Sequence, residues 1–259
     1  MKQPRGQNFI IDNNIAKNIV DAAGITAGDK VLEIGPGKGA LTSLISGKAK
    51  EFKAVEVDTK LFDNLQKRFS GAADTEIILS DFLKYPFSLE RGPLKIVSNL
   101  PYNVSTAIIE KILPEKNWDT AVLMVQKEVG ERLTASPGNK QYGALTIICG
   151  HYAKFEKLFP VGPGCFFPKP KVDSVGLKVV NLFAETLEPE FVGFIRASFS
   201  QRRKTILNCV SQALDIPKND ALKAVQLSNI SPMLRPEKLS FEQFKTLYKN
   251  LRIFVGQAY

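Results

Sequence analysis

The segment that decides the fold reads Lys30-Val31-Leu32-Glu33-Ile34-Gly35-Pro36-Gly37-Lys38-Gly39. Its first half is a short apolar run of the kind that forms a strand covered on both faces, and its second half is rich in glycine. A segment with helical periodicity begins at Ala40. Glycine in a turn between strand and helix lets another molecule approach the backbone without meeting a side chain. This order predicts the first unit of a parallel sheet with a ligand at its edge.

The same alternation of strand and helix patterns runs through the first 160 residues. We predict further strands at residues 52–57, 76–79, 94–98 and 121–125, and helices at residues 12–23, 40–45 and 59–69. A proline-rich loop (residues 160–170) and a strand (175–180) follow, and then helices at 191–199, 205–214, 219–226 and 241–251. We therefore expect an α/β fold with a Rossmann-like, doubly wound sheet over residues 1–180 and a small helical domain over residues 181–259.

The charge of the chain indicates its partner. It carries 35 Lys and Arg against 26 Asp and Glu, a formal net charge of +9. Residues 181–259 hold 11 of these bases and 7 of these acids, so they carry +4 over 79 residues against +5 over the preceding 180. A basic surface favours a polyanion, and nucleic acid before membrane, because no lysine-rich amphipathic helix stands out.

Cysteine and histidine usage excludes several kinds of site. Cys149, Cys165 and Cys209 include no C-x-x-C pair, so we expect neither disulfides nor a metal site. His151 is the single histidine, which excludes a Ser-His-Asp triad. The apolar runs are too short to cross a bilayer and no signal peptide fits the first residues. These features predict a soluble, cytoplasmic protein.

Carboxylates near the glycine-rich turn indicate a nucleotide-like cofactor. Glu56 ends the second predicted strand, 21 residues after Gly35, the spacing at which a carboxylate binds ribose hydroxyls. NAD-dependent enzymes share this much. The G-x-G-x-G spacing of Gly35, Gly37 and Gly39, the preceding Glu33 and a third strand that ends at Asp81 favour S-adenosylmethionine. Ordinary turn glycines and strand-end carboxylates are the alternative for each feature taken alone.

A tetrapeptide, Asn99-Leu100-Pro101-Tyr102, follows the fourth predicted strand, at the edge where open parallel sheets hold reactive groups. It resembles the N-[LIF]-P-[YF] element of methyltransferases that act on the exocyclic amine of adenine. That amine is a poor nucleophile because its lone pair is delocalised into the ring. The Asn99 side-chain carbonyl and a backbone carbonyl near Leu100–Pro101 would accept its two hydrogens and turn the lone pair towards the methyl group, and Tyr102 would face the base. A strand-to-helix turn with an Asn cap is the structural alternative.

Five further segments narrow the resemblance. They are Gly6-Gln7-Asn8-Phe9-Ile10, Gln126-Lys127-Glu128-Val129, Tyr142-Gly143, Phe166-Phe167-Pro168-Lys169-Pro170-Lys171-Val172-Asp173-Ser174 and Gln201-Arg202-Arg203-Lys204-Thr205. In this order they resemble the ribosomal small-subunit RNA adenine dimethyltransferases, the kasugamycin-resistance family, over nearly the whole chain. The resemblance implies a class I methyltransferase sheet, S-adenosylmethionine as cofactor, and a monomer that dimethylates two adjacent adenosines near the 3′ end of small-subunit ribosomal RNA during subunit assembly.

The resemblance also assigns residues. Cofactor contacts are implied for Asn8, Ile10, Gly35, Glu56, Asp81 and Asn99, and Gly37 of the glycine-rich turn is expected to contact the cofactor as well. Phe166 would stack on the flipped adenine opposite Tyr102. Phe167 stands where some family members carry a small polar residue, so which of the two phenylalanines stacks on the base stays open.

Basic residues in the second domain complete the prediction. Arg202, Arg203 and Lys204 lie in a basic helical domain, which favours contact with RNA phosphates over a solvated helix start. Two other functions stay open. An erythromycin-resistance-type enzyme shares the catalytic site but modifies an adenine of large-subunit RNA; the Gln201–Thr205 segment and the Asn99–Leu100 pairing favour the small subunit. A non-catalytic ribosome-assembly or transcription factor on the same fold is the other, and the intact tetrapeptide argues against it.

Overall fold

A computed structural model of the protein describes residues 7–201 and 203–255. The chain forms two compact units: residues up to Gly130 with Tyr152–Ala184, and Glu131–His151 with the residues from Glu185 onwards. We predicted a single boundary between the domains at residue 180. In the structure, Glu131–His151 belongs to the second unit as well. Two contacts show why: the Gly138 N–H donates to the Glu237 carbonyl at 2.7 Å, and the Tyr142 hydroxyl donates to the Leu239 carbonyl at 2.9 Å. No local sequence pattern indicates hydrogen bonds between residues that lie so far apart in the chain.

The first unit is built of strands and short helices. Its strands are β1 (Phe9–Ile10), β2 (Lys30–Ile34), β3 (Glu51–Glu56), β4 (Thr75–Leu79), β5 (Leu94–Asn99), β6 (Trp118–Gln126), β7 (Ala153–Val161), β8 (Phe166–Phe167) and β9 (Ser174–Asn181). Its helices are α1 (Asn13–Ala23), α2 (Thr42–Ile45), α3 (Thr59–Phe69) and α4 (Ser105–Ile112). Helices α5 (Lys127–Leu133) and α6 (Ala144–Tyr152) contain two of the three points at which the chain passes from one unit to the other.

The main sheet has seven strands in the order β4-β3-β2-β5-β6-β9-β7. The first five are parallel to their neighbours, as predicted, whereas β9 pairs antiparallel with both β6 and β7. The parallel strands β2, β3 and β5 therefore end at one edge. That edge receives the glycine-rich turn, Glu56 and Asn99 together, which is where an open α/β sheet holds its ligand.

Local signals define the helix that precedes β2. The Asp12 side chain caps α1 by accepting from the N–H groups of Asn14 at 2.8 Å and Ile15 at 3.4 Å. Gly24 caps the end of the helix in the left-handed conformation with φ 55°, which glycine adopts without a steric penalty. The apolar face of α1 buries Ile19 in the core of the unit, which fixes the start of β2 relative to the sheet.

A second, two-stranded sheet was not predicted. Strands β1 and β8 pair antiparallel, with Phe9 opposite Phe167 and Ile10 opposite Phe166. Neither stretch shows a strand pattern in the sequence, because two-residue strands carry no periodicity. Successive side chains of a strand point to opposite faces, so Ile10 and Phe166 enter the core while Phe9 and Phe167 share the other face.

The second unit is helical. It contains α7 (Pro189–Ser198), α8 (Ile206–Ala213), α9 (Lys218–Leu227) and α10 (Phe241–Val255). Phe194 and Phe244 are buried and pack edge to face, with ring centroids 6.1 Å apart. Within residues 7–201 and 203–255, no helix combines the length and the apolar character needed to cross a membrane.

Candidate active site

A pocket that is partly open to solvent lies at the carboxyl edge of the parallel strands. It is lined by Gln7, Asn8, Phe9, Ile10, Glu33, Gly35, Pro36, Gly37, Lys38, Ala40, Leu41, Glu56, Val57, Asn99 and Pro101. Six residues predicted to contact a cofactor are therefore brought together here: Asn8, Ile10, Gly35, Gly37, Glu56 and Asn99. They come from β1 and the residue before it, the β2–α2 turn, β3 and β5.

The glycine-rich turn is shaped by backbone that other residues rarely adopt. Gly35 has φ 68° and Gly37 has φ 59°. The Gly37 N–H donates to Glu56 Oε2 at 2.9 Å. A Cβ at Gly37 would lie 2.9 Å from Cδ1 of Phe9, so a side chain would displace the ring that covers the turn. The turn therefore needs glycine for its conformation and for its contact with β1.

Glu56 is a buried carboxylate that organises the turn. Its side chain is 2% exposed, and its Oε1 accepts from the N–H groups of Val57 and Asp58, each at 2.9 Å. Together with the Gly37 N–H this makes three accepted hydrogen bonds. A carboxylate has about four lone-pair positions, so Oε2 keeps the capacity to accept from a ligand hydroxyl.

Glu33 is a second buried acid in the same pocket. It is 1% exposed, and the Thr42 hydroxyl donates to its Oε2 at 2.7 Å. Burial, assisted by the negative charge of Glu56, raises the pKa of Glu33 to about 8, although the Thr42 hydrogen bond opposes the shift. Its position directly before the glycine-rich turn favoured a cofactor site but did not indicate what Glu33 itself does. At neutral pH it is mostly neutral, so the pocket has fewer negative charges than its composition suggests.

Asn99 is held in one orientation. Its Nδ2 donates to the backbone carbonyl of Asn8 at 2.8 Å, which fixes which end of the amide is the acceptor. Its Oδ1 is buried and has no hydrogen-bond partner among the described residues. A buried acceptor without a donor costs about 1–3 kcal/mol, and such atoms in native proteins often mark the place of a ligand. The side-chain carbonyl of Asn99 can therefore accept a hydrogen bond from a ligand bound in the pocket.

The three residues after Asn99 have separate environments. Leu100 is buried and its N–H donates to the Met124 carbonyl at 3.1 Å. The Pro101 carbonyl accepts from the Val104 N–H at 3.1 Å. Sequence analysis predicts a backbone carbonyl near Leu100–Pro101 as the second acceptor for the hydrogens of an adenine amine. Because the Pro101 carbonyl already accepts a hydrogen bond, the Leu100 carbonyl is the better candidate for that acceptor. The tetrapeptide is thus anchored on both sides.

Tyr102 is half-buried and is oriented by a residue that the sequence did not single out by role. Its hydroxyl is hydrogen-bonded to the hydroxyl of Ser174, the first residue of β9. Burial raises the pKa of Tyr102 and the Ser174 hydrogen bond opposes that rise. Ser174 is 1% exposed and closes the proline-rich motif, so the motif reaches the catalytic tetrapeptide through this hydroxyl pair.

Asp81 follows β4 and is half-buried, but it is not among the described residues that line the pocket. Its Oδ1 accepts from the Leu83 N–H at 3.0 Å. Lys111 of α4 donates to the carbonyls of Phe82, Leu83 and Tyr85 at 2.8, 2.9 and 2.6 Å. Lys111 was not predicted to act here, because no local sequence signal links it to this turn.

The structure separates the two phenylalanines of β8. Phe166 is 2% exposed and belongs to the core, whereas Phe167 is 59% exposed. The Phe166 ring reaches a base only by leaving the core, so the stacking assigned to Phe166 stays a prediction. The alternation of a strand explains why: the pairing of Phe166 with Ile10 turns both side chains inwards.

The basic cluster of the second unit is partly described. Arg202 lies outside the described residues. Arg203 and Lys204 are exposed, and Lys204 Nζ donates to Gln212 Oε1 at 3.2 Å. Their contact with RNA stays a prediction. In residues 7–201 and 203–255, no three His, Cys, Asp or Glu side chains cluster in a way that could hold a metal ion.

Comparison with known proteins identifies relatives along the whole chain. The model of the family described as ribosomal RNA adenine dimethylase matches residues 1–252. Ribosomal RNA small subunit methyltransferase A of Clostridium botulinum (strain Loch Maree / Type A3) is 38% identical over 250 residues, which cover 93% of this chain and 90% of the relative. The protein of the same name from Moorella thermoacetica is 37% identical, with 97% and 92% covered.

Solved structures share the fold. A dimethyladenosine transferase from Plasmodium falciparum superposes with a TM-score of 0.79 at 27% identity, over 96% of this chain and 98% of that one. The 23S rRNA methyltransferase ErmE superposes with a TM-score of 0.71 at 24% identity, over 94% and 99%. At that identity the second likeness concerns the fold alone. The Rossmann-like α/β architecture expected from the sequence is confirmed.

Proposed function

Because the chain belongs to the ribosomal RNA adenine dimethylase family, we propose that it uses S-adenosylmethionine to dimethylate two adjacent adenosines near the 3′ end of small-subunit ribosomal RNA. By its membership it is a ribosomal RNA methyltransferase. The relatives at 37 and 38% identity are small-subunit enzymes by name, which supports the small-subunit target. In this proposal the enzyme is a cytoplasmic monomer that acts on the assembling small subunit.

The residues of the pocket fit the proposed cofactor. The remaining acceptor capacity of Glu56 suits the ribose hydroxyls, and the left-handed glycines Gly35 and Gly37 allow close approach to the backbone. Ile10 and the Asn8 segment would cover the cofactor from β1, and Asp81, beside the pocket, would accept from the adenine amine. When bound, S-adenosylmethionine supplies an electrophilic methyl group that needs no metal or redox partner.

The unpartnered carbonyl of Asn99 is the observation that carries the proposal. It lies at the end of β5, on the pocket, with its amide orientation fixed by Asn8. An adenine amine would donate one hydrogen to Asn99 Oδ1 and the other to the Leu100 carbonyl. Accepting both hydrogens favours the pyramidal nitrogen whose lone pair points at the methyl group. These acceptors bind the developing ammonium more strongly than the flat amine, which lowers the barrier.

A single-turnover assay tests the proposal. Small-subunit particles are methylated by the protein and then read by primer extension, because dimethylated adenosines block reverse transcription. Wild type should produce a stop at two adjacent adenosines. Asn99→Ala should slow the single-turnover rate by about a hundredfold or more, as for other lost transition-state contacts, with little change in affinity. The matched control is Asn103→Ala, which removes an exposed asparagine four positions along the chain.

The same assay separates the two rival functions. A stop in large-subunit RNA, with none in small-subunit RNA, would assign the chain to the erythromycin-resistance type. Tight binding to the particle without any stop would indicate an assembly factor. A near-normal rate for Asn99→Ala would contradict the role given to its carbonyl.

A further inference from the structure

Three side chains form a cluster at the rim of the pocket, which we call the rim cluster: Phe9, Lys38 and Phe167. Phe9 and Phe167 are cross-strand neighbours of β1 and β8 on the face that points away from the core. Lys38 Nζ lies 5.0 Å from the centroid of the Phe9 ring and 5.7 Å from that of Phe167. Phe9 and Lys38 also line the pocket. The cluster thus connects the pocket with the outer surface.

Core packing does not explain the rim cluster. Phe167 is 59% exposed, and its neighbour Phe166 already fills the core position of β8. Lys38 is exposed, and no carboxylate of the described residues lies within ion-pair distance of it. The exposed Phe167 ring forgoes the free energy that burial of its apolar area would contribute, so packing does not account for its position. The arrangement combines a flat apolar face and a positive charge, which are the two elements that bind single-stranded nucleic acid.

The surroundings of Phe167 carry the matching charge. Lys169 and Lys171 follow it in the proline-rich segment and are exposed, with Asp173 as the one acid of residues 166–174. The surface around the ring is therefore basic, complementary to a phosphate backbone. Cation–π contact holds the Lys38 ammonium beside the rings while leaving its N–H donors available for a phosphate oxygen.

We propose that the rim cluster is a subsite for the nucleotide next to the target adenosine, with its unstacked base on the Phe167 ring and its phosphate on Lys38. The proposal rests on the proposed function for its substrate, a single-stranded stretch of ribosomal RNA. It assigns the subsite to the neighbouring nucleotide, because the target amine belongs at the Asn99 carbonyl, which lines the pocket, whereas Phe167 is not among the described residues that line it. With two adjacent target adenosines, one occupies the subsite while the other reacts.

Tryptophan fluorescence tests the subsite without requiring methylation. The single tryptophan, Trp118, is fully buried, so an indole introduced at the rim dominates any change on titration. Phe167→Trp should be quenched by single-stranded oligoadenylate, because a stacked base quenches indole. The control is Leu89→Trp, an indole at a 78% exposed apolar position that precedes β5, at the opposite edge of the sheet. Equal quenching of both variants, or of neither, would overturn the proposal.

Kinetics on small-subunit particles provide the second measurement. Phe167→Ala should raise KM about tenfold or more, from loss of one base stack, and leave cofactor affinity by calorimetry unchanged. Lys38→Gln should lower the slope of log affinity against log salt by about 0.7, one phosphate contact on a single strand. The control Lys48→Gln changes an exposed lysine at the amino edge of the sheet and should leave the slope intact.

Two outcomes separate the subsite from the proposed function. If Phe167→Ala weakened cofactor affinity and left KM unchanged, the subsite would be overturned. If wild type methylates no particle while Phe167→Trp is still quenched selectively, the proposed function fails and the subsite stands.

Discussion

Replacing Glu33 by glutamine should flatten the pH dependence of stability. Its pKa rises from 4.5 to about 8 because the carboxyl is buried beside Glu56. The folded protein therefore holds this proton to about pH 8, whereas the unfolded chain releases it near pH 4.5. The stability contributed by Glu33 is fully present below pH 4.5 and is lost as the pH rises through about 8. Each pH unit of that interval corresponds to about 1.4 kcal/mol, so the loss is at most ~5 kcal/mol.

Urea unfolding between about pH 5 and pH 9, followed by circular dichroism, measures this loss. The free energy of unfolding of Glu33→Gln, relative to wild type, should increase steadily with pH and level off above the raised pKa. Thr42→Val is the matched control, because it removes the hydroxyl that donates to Glu33 Oε2 and opposes the shift. In that variant the pH-dependent loss should extend to higher pH than in wild type. Parallel profiles for wild type and Glu33→Gln would refute the reasoning, since they would mean that Glu33 ionises alike in both states.

Three further predictions concern the cofactor, the fold and the RNA. Glu56→Gln should weaken S-adenosylmethionine binding by roughly 1–3 kcal/mol through loss of charge-assisted hydrogen bonds; unchanged affinity in calorimetry would remove Glu56 from the site. Gly92→Ala should lower the free energy of unfolding by roughly 1–3 kcal/mol through overpacking, because its Cβ would lie 1.9 Å from a backbone carbonyl oxygen. The control is Gly71→Ala, whose Cβ would meet nothing within 4 Å. It should leave the free energy of unfolding, measured with urea, nearly unchanged. Replacing Arg203 and Lys204 by alanine should lower the salt slope of particle binding by about one per lost phosphate contact, with methylation restored at saturating particle; a full slope would make the pair a solvated surface.

Sequence alone predicted the features that rest on local signals. Strand β2 and helix α3 begin and end at the predicted residues. Helix α1 begins one residue after the predicted start at residue 12 and ends at Ala23, as predicted. The pocket residues at strand ends followed as well, because the carboxyl ends of parallel strands meet at one edge whatever their separation in sequence. That rule needs no knowledge of side-chain packing, which is why Glu56 and Asn99 could be placed together.

Features fixed by distant pairing could not be predicted. The segment Glu131–His151 joins the second unit through bonds to residues almost a hundred positions away. Ser174 and Lys111 act on the tetrapeptide and on the Asp81 turn, respectively, from other elements. Each residue type is ordinary for its position, so composition and spacing carry no signal of these contacts. They depend on the register of the sheet and on the packing of α4.

The two phenylalanines of β8 show how the pairing of two strands decides which side chain enters the core and which faces outwards. Phe166 and Phe167 are identical side chains at adjacent positions, so no propensity or pattern distinguishes them. The register with β1 does, because a shift of one residue would exchange the core face and the outer face of the strand. In the observed register Phe166 stabilises the core and Phe167 stands beside Lys38 at the pocket rim. In the proposed subsite, the side chain that faces RNA is thus set by a two-residue strand whose partner lies at the other end of the unit's sequence. Any change that shifts the β1–β8 register should therefore disturb both the proposed subsite and the side of the pocket that β1 lines, while the seven-stranded sheet stays intact.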